Sequence, residues 1–348
     1  MIQRKYNLKV CVAVALVSIV LAFGLGALQK NVSILSGADA LAMQMVKSAR
    51  SLSPLPFAFG MTGVSWFGEE MGVMVFTCII FWLGYTAEMI AFLLMVVFGT
   101  TLSERMKELF ALHRPLPSEI TTLSRATGYG FPSGHSQTGM FYSWLLFAFI
   151  QKYWAICLIP ALLMVASRLY LGVHYFSDTV GGLILGFGLA VGATGIYGRV
   201  RDLSSLRESL RRSPLLRLAL SLALSVGYLA IAWGQPDAFK YAGFLLGFFA
   251  VYSSLGFKWR SRNFFFTLLV IIVGLLVLLG VQIGFAMAVP SSRLSNYGEF
   301  LILGVLLAIS PLVFVKMRLL RKVEELARVN EPPAITETEE LSPSASPK

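Results

Sequence analysis

Charge is scarce in this chain, and acidic charge most of all: Asp and Glu supply 18 of 348 residues against 29 Lys and Arg, and charged residues make up only 14%. A soluble domain of this size cannot solvate itself on so little, and with 56% hydrophobic residues the composition is that of an integral membrane protein. Cysteine is equally sparse. Cys11, Cys78 and Cys157 all fall inside apolar runs, at spacings that fit neither a disulfide framework nor a metal site, so they read as packing residues. The net charge of +11 could suggest nucleic acid, but the basic residues sit beside apolar runs and form no separate basic domain.

What is abundant is apolar length. The run from Val10 to Leu28 is long enough to cross a bilayer and too long for the apolar part of a signal peptide, so it reads as a retained first helix. Ser36 to Ser51 interleaves Leu41, Met43, Met45 and Val46 with Asp39, Lys47 and Arg50, a pattern for a short helix lying in the interface. The Pro-rich stretch after it is expected to turn the chain back. Further apolar runs span Met71–Leu83, Thr86–Thr101, Ser136–Ile150, Trp154–Leu171 and Thr179–Tyr197. In the last of these, Gly182, Gly186, Gly188 and Gly192 form two small-xxx-small patterns that allow close helix packing.

A basic linker follows, then runs near Leu215–Trp233, Tyr241–Phe257, Phe264–Val289 and Phe300–Val315, for roughly ten spans in all. The expected division is a six-helix core over 1–198, a basic linker over 199–213, a four-helix region over 214–316, and a tail over 317–348. In that tail Lys316 to Arg328 reads as a basic amphipathic helix, and the Pro- and Ser-rich residues beyond Asn330 as disorder.

Lys and Arg set the orientation. Arg4, Lys5 and Lys9, then Lys152, the six arginines from Arg199 to Arg217, then Lys258, Arg260, Arg262 and the run from Lys316 fall on one side if the spans alternate. By the positive-inside rule that side is cytoplasmic. Ser103 to Ser133 and Ser167 to Asp178 break the rule, with Arg105, Lys107, Arg114, Arg125 and Arg168 on the opposite side. Cations placed against topology point to chemistry.

The chain holds three histidines, His113, His135 and His174, and all lie in those loops or at their edges. If a helix begins at Val173, His174 and Asp178 share a face four residues apart, where a carboxylate can hold one imidazole nitrogen and leave the other to attack. Arg168 lies just behind. Lys107 and Arg114, seven residues apart, would share a face of a helix that Pro115 ends. Pro132-Ser133-Gly134-His135 opens a span, so unpaired backbone N–H groups, the helix dipole and a side chain-free Gly134 favour an anion there. Together these groups supply what phosphoryl transfer needs: charge for the phosphoryl oxygens, an in-line nucleophile and a proton donor. Glu69 and Glu70 could face this site or simply end a helix at the interface.

The order and spacing of Lys107 with Arg114-Pro115, Pro132-Ser133-Gly134-His135, and Ser167-Arg168 with His174 and Asp178 resemble the three-part signature of the type 2 phosphatidic acid phosphatase superfamily. The resemblance covers about Val10 to Tyr197, and the four later spans are similar to those of larger members. It implies an all-α polytopic membrane phosphatase acting on a lipid phosphate or diphosphate, with membrane lipids around it, no cofactor or metal, and no assigned oligomeric state. It implies His174 as the nucleophile that becomes phosphohistidine, Asp178 as its orienting carboxylate, and His135 as general acid and then base. Lys107, Arg114, Ser133, Gly134 and Arg168 would hold the phosphate, whereas His113 is not a fixed position of the motif. The expected location is a bacterial inner membrane, both termini cytoplasmic and the site extracytoplasmic. A phosphotransferase using the same site, or a lipid transporter, are the alternatives; membrane embedding argues against haloperoxidase chemistry.

Overall fold

The fold is that of a computed structural model, which describes residues 7–32, 36–53, 55–200, 204–255 and 257–323. It is all-α apart from one pair of three-residue strands. The core elements are α1 (Leu8–Val32), α2 (Ser36–Leu52), α3 (Leu55–Trp66), α4 (Glu70–Trp82), α5 (Thr86–Phe110), α6 (Gly134–Ile150), α7 (Trp154–Cys157), α8 (Ile159–Tyr170) and α9 (Phe176–Val200). The short α10 (Ser204–Arg212) leads into α11 (Pro214–Ile231), α12 (Ala238–Tyr252), α13 (Phe264–Ala288) and α14 (Arg293–Lys316).

Ten of these helices carry the ten apolar runs, but they are unequal. Among the described residues six are long and apolar enough to cross a bilayer alone: α1, α5, α9, α11, α13 and α14. The others are shorter: α4 has 13 residues, α8 has 12 and α12 has 15, while α6 has 17. Against the roughly ten spans expected, the described residues give six helices that could cross alone, or eight if each bent pair counts as one span. Of the expected Pro-rich turn, Pro54 lies outside the described residues, and the part after it is helical. That stretch forms α3, with Pro56 in its first turn, where a missing N–H costs nothing, and α3 meets α4 at a 65° bend.

The ten helices alternate in direction. At one end α5 and α6 face the loop before α9 and the close of α8, and Lys240 at the start of α12 bonds Glu70 at the start of α4. At the other end Cys11 of α1 packs on Gly195 of α9, and the Trp259 indole N–H donates to the Phe81 carbonyl. There β1 (Trp259–Ser261) pairs antiparallel with β2 (Leu320–Lys322). Residues 320–322 are therefore strand where an amphipathic helix was expected: an extended partner at 259–261 supplies the backbone bonds a helix would have made internally. Residues 324–348, including the expected disordered tail, lie outside the described residues.

Glycine sets the spacing of the core, since apolar surface alone gives helices in lipid no reason to associate. The two glycine patterns of α9 face different neighbours. Gly182 and Gly186 seat the start of α6, with Ser133 and Gln137 carbonyl oxygens 2.3 and 2.8 Å from where a Cβ would stand. Gly188 and Gly192 receive Ser18 and Ala15 of α1. On α6, Gly139 admits Ala161 and Met164 of α8, which lies alongside it.

Gly186→Ala is therefore expected to cost about 1–3 kcal/mol by overpacking and to lower the thermal midpoint of the detergent-solubilised protein. Gly24→Ala, where an added Cβ meets nothing within 4 Å, is expected not to lower it. Equal shifts in the two variants would contradict this packing.

Candidate active site

His174 sits in the turn between α8 and α9, and α9 begins only at Phe176. The expected shared helix face is thus corrected. Asp178, in the first turn of α9, reaches back: its Oδ2 accepts the Tyr175 N–H at 3.0 Å and lies 3.3 Å from His174 Nδ1. On the other side of the ring, Arg114 Nη1 stands 2.9 Å from His174 Nε2. A guanidinium can only donate, so Nε2 accepts and the proton sits on Nδ1, facing the carboxylate. The nitrogen carrying the lone pair is the one turned towards the cation.

Arg114 is placed by loop carbonyls rather than by a helix. The helix α5 stops at Phe110, Ala111 takes a left-handed conformation with φ 52°, and Pro115 disfavours helical geometry at the residue before it. Lys107 and Arg114 therefore do not share a helix face as expected. Instead Arg114 donates to the carbonyls of Val173 at 2.8 Å, Thr127 at 3.1 Å and Gly128 at 3.1 Å. Lys107 remains on α5, paired with Glu104 at 2.6 Å.

Pro132 to His135 lies as the sequence suggests, at the opening of α6. Ser133 caps the helix, its Oγ accepting from Ser136 N at 3.4 Å and from Ser136 Oγ at 3.2 Å, which leaves its own O–H to donate. At Gly134 an added Cβ would meet nothing within 4 Å, so the backbone is open to a ligand there. Arg168, in the last turn of α8, is 2% exposed; its Nη1 donates to Ser65 Oγ, and its Nε has no partner among the described residues. The charges of Arg114, Arg168, His135 and Lys107 all act on His174. Of these, Arg114 touches His174 directly, and Arg168, His135 and Lys107 lie near enough for their charge to reach it. His113 instead lines a neighbouring cavity of about 570 Å³ with Asp39, Lys47, Glu119 and Tyr175.

Several participants were missed or left open. Ser65 and Glu69 come from the bend between α3 and α4, with Glu69 Oε1 3.2 Å from His135 Nε2. Asp39 of α2 caps the start of α9, accepting Ser177 N–H and O–H at 2.8 Å each. Arg50 binds the Tyr170 carbonyl and, at 2.6 Å, that of Thr121. The sequence signal for these two was the interleaving of charged with apolar residues along α2.

Burial holds the His174 imidazole well below the ordinary histidine range, and the cations Arg114 and Arg168 push it further the same way. Burial also lowers Arg114 from the usual guanidinium value, opposed by Asp178. His174 is thus a neutral imidazole with one nitrogen oriented by a carboxylate and the other bearing a lone pair among cations. That arrangement suits nucleophilic attack on an anion.

Residues 72–202 match the family model of the PAP2 superfamily. A palmitoyl-protein thioesterase-dolichyl pyrophosphate phosphatase fusion protein of Schizosaccharomyces pombe is 30% identical over 118 residues, 30% of this chain and 18% of that protein. Phosphatidylglycerophosphatase B of Bacillus subtilis is 32% identical over 107 residues, 27% of this chain and 51% of that protein. The chain thus matches about half, or less, of the length of these curated relatives. A solved transmembrane PAP2-type phosphatidylglycerolphosphate phosphatase from Bacillus subtilis is 23% identical at a TM-score of 0.46, covering 54% of this chain and 98% of that one.

With three histidines in the chain, their titrations can be followed separately by magnetic resonance of histidine-labelled protein. His174 is expected to stay neutral through the pH range near 6.5 where a free imidazole takes up its proton. Arg114→Gln removes a cation that opposes protonation, so its midpoint should move upward. A downward shift, or none, would contradict this account of the field at His174.

Proposed function

We propose, from the match of residues 72–202 to the PAP2 superfamily model, that the protein is a membrane phosphatase hydrolysing a lipid phosphate or diphosphate through a phosphohistidine intermediate. One observation carries the reading: His174 is held by Asp178 on Nδ1 and presents Nε2 to Arg114, where His135, Lys107 and Arg168 also bring their charge. The names of the relatives, a phosphatidylglycerophosphatase and a dolichyl pyrophosphate phosphatase, support a phosphorylated lipid as the substrate class.

In the first step the Nε2 lone pair attacks phosphorus. The N–P bond forms as the bond to the lipid oxygen breaks, and that oxygen keeps the electron pair and takes a proton from His135. Asp178 stabilises the charge that develops on the His174 ring. Lys107, Arg114, Arg168, the Ser133 hydroxyl and the Gly134 N–H hold the non-bridging oxygens. In the second step His135 accepts a proton from water as the water oxygen bonds to phosphorus. The N–P bond then breaks, releasing inorganic phosphate and restoring His174.

No step requires a metal: the cations of the chain supply the charge that a divalent ion would otherwise bring. The basic stretches outside the motifs, around Lys152, from Arg211 to Arg217 and from Lys258 to Arg262, support cytoplasmic termini and an extracytoplasmic site by the positive-inside rule. The PAP2 match over 72–202 falls within or beside the proposed phosphatase core of 1–198 and stops short of 214–316, read as an added helical region. Transport is less well supported, because the ionisable groups gather at one end of the bundle and not at mid-membrane.

Purified His174→Ala is expected to lose about 10⁴-fold or more of its phosphate release while still binding vanadate weakly; retained turnover would remove the assignment. Wild-type activity is expected to persist in EDTA, as measured by phosphate release from phosphatidic acid, phosphatidylglycerophosphate and isoprenyl diphosphates. Abolition by the chelator, with recovery on adding a divalent ion, would replace this mechanism with a metal-dependent one.

A further inference from the structure

The bend between α3 and α4 contributes to the site although it belongs to none of the three motifs. Its shape is fixed by close contacts. An added Cβ on Gly72 would stand 2.1 Å from the Trp66 carbonyl oxygen, so the two helices can meet at this angle only with glycine there. The Glu69 N–H donates to that same carbonyl at 3.0 Å, and the Tyr142 hydroxyl, from α6, donates to the Phe67 carbonyl at 2.8 Å. The bend is thus pinned to the helix that carries His135.

Two of its residues grip the imidazole. Gly68 lies against the ring edge, where an added Cβ would fall 2.3 Å from His135 Cδ2 and 3.1 Å from Nε2. Glu69 Oε1 stands 3.2 Å from Nε2, and a carboxylate can only accept, so Nε2 carries a hydrogen and donates it. The Cδ2–Nε2 edge is therefore occupied by the bend, and the edge bearing Nδ1 faces away from it. Geometrically this repeats what Asp178 does for His174.

The charges around His135 give the contact a purpose. Burial, and then the cations Arg168 on α8 and Lys107 on α5, oppose a proton on the ring. Glu69 is the carboxylate in contact with it. A general acid must hold its proton until the leaving oxygen needs it, so an imidazole in this field requires a compensating negative charge.

We propose that Glu69 is the positioning residue of His135: it holds Nε2–H, stabilises the imidazolium, and makes Nδ1 the nitrogen that delivers the proton to the leaving lipid oxygen. The inference rests on the phosphatase reading and deepens it. When Nδ1–H passes its proton to the oxygen as the O–P bond breaks, Nε2–H stays on Glu69. The neutral ring is then left with its lone pair on Nδ1, ready to take a proton from water in the second step.

The test compares Glu69→Gln with wild type on two substrates, a long-chain alkyl phosphate, whose alkoxide must be protonated as it leaves, and para-nitrophenyl phosphate, whose anion leaves unaided. Because kcat/KM reports the first chemical step, loss of acid assistance should appear on one substrate and not the other. Glu69→Gln is expected to lower kcat/KM about 10- to 100-fold on the alkyl phosphate and less than about threefold on the aryl one, and to move the alkaline limb of the alkyl profile to lower pH. Gly68→Ala, which displaces the ring without touching the carboxylate, is expected to show the same selectivity between substrates. Equal losses on both substrates, or no loss on the alkyl phosphate, would overturn the role of Glu69 alone. Absence of phosphate release by wild type from either would overturn the phosphatase reading and this inference with it.

Discussion

One backbone hydrogen bond joins the parts of the site: the Ser133 N–H donates to the Asp178 carbonyl at 2.9 Å. It fastens the start of α6 to the start of α9, and with them His135 to His174. The contact exists because Gly182 lets the Ser133 carbonyl come within 2.3 Å of where a Cβ would stand. Asp178 then serves three partners at once, its carbonyl taking Ser133, its carboxylate taking the Tyr175 N–H and facing His174 Nδ1. A buried carboxylate with so many obligations has little freedom to rotate, so the imidazole it faces is held before any ligand arrives.

The electrostatics follow from that rigidity. Arg114, Arg168 and Lys107 converge on a neutral ring, an arrangement that is unfavourable to the cations themselves and becomes favourable when an anion enters. Burying charge ahead of binding costs stability, and the fold offsets part of it by hydrogen-bonding the guanidinium groups to loop carbonyls and to Ser65. The unpartnered Arg168 Nε marks where that satisfaction is left incomplete. Stability has been exchanged for preorganisation at that point.

The apolar runs and the three motifs were legible because each is local: a run announces a helix, and a motif announces residues whose spacing persists however the chain is folded. The two glycine patterns of α9 were legible for the same reason, although which neighbour each would meet was not. What could not be read was mostly pairing across long stretches of chain. Ser65 with Arg168, Glu69 with His135, Asp39 with Ser177 and β1 with β2 are separated by 59 to 138 residues, and nothing in either partner's local sequence names the other. Local geometry misled in two places. His174 and Asp178 have helical spacing but meet through a turn, and Lys107 and Arg114 have helical spacing but are separated by a left-handed Ala111. Spacing in sequence fixes which side chains can meet and not which backbone brings them together.

The four added helices take hold of α4 more than of the motif-bearing α6, α8 and α9. The Trp82 indole fills the gap left by Gly274 on α13 and donates to Ser310 Oγ on α14 at 2.7 Å. Phe81 packs edge-on against Phe248 of α12 and Trp259 of β1. Lys240 pairs with Glu70 at 3.1 Å, the residue next to Glu69, while Gln235 donates to the Thr101 carbonyl of α5 at 2.9 Å. With only 13 residues, α4 has too few turns to fix its own depth and tilt in a bilayer by length alone. Its position is instead set by side chains from α12, α13 and α14, and its first residue adjoins the bend that seats His135. The C-terminal region is thereby coupled to the His135 side of the candidate site through one short helix, while the His174 side is held by α2 and the loops around Arg114.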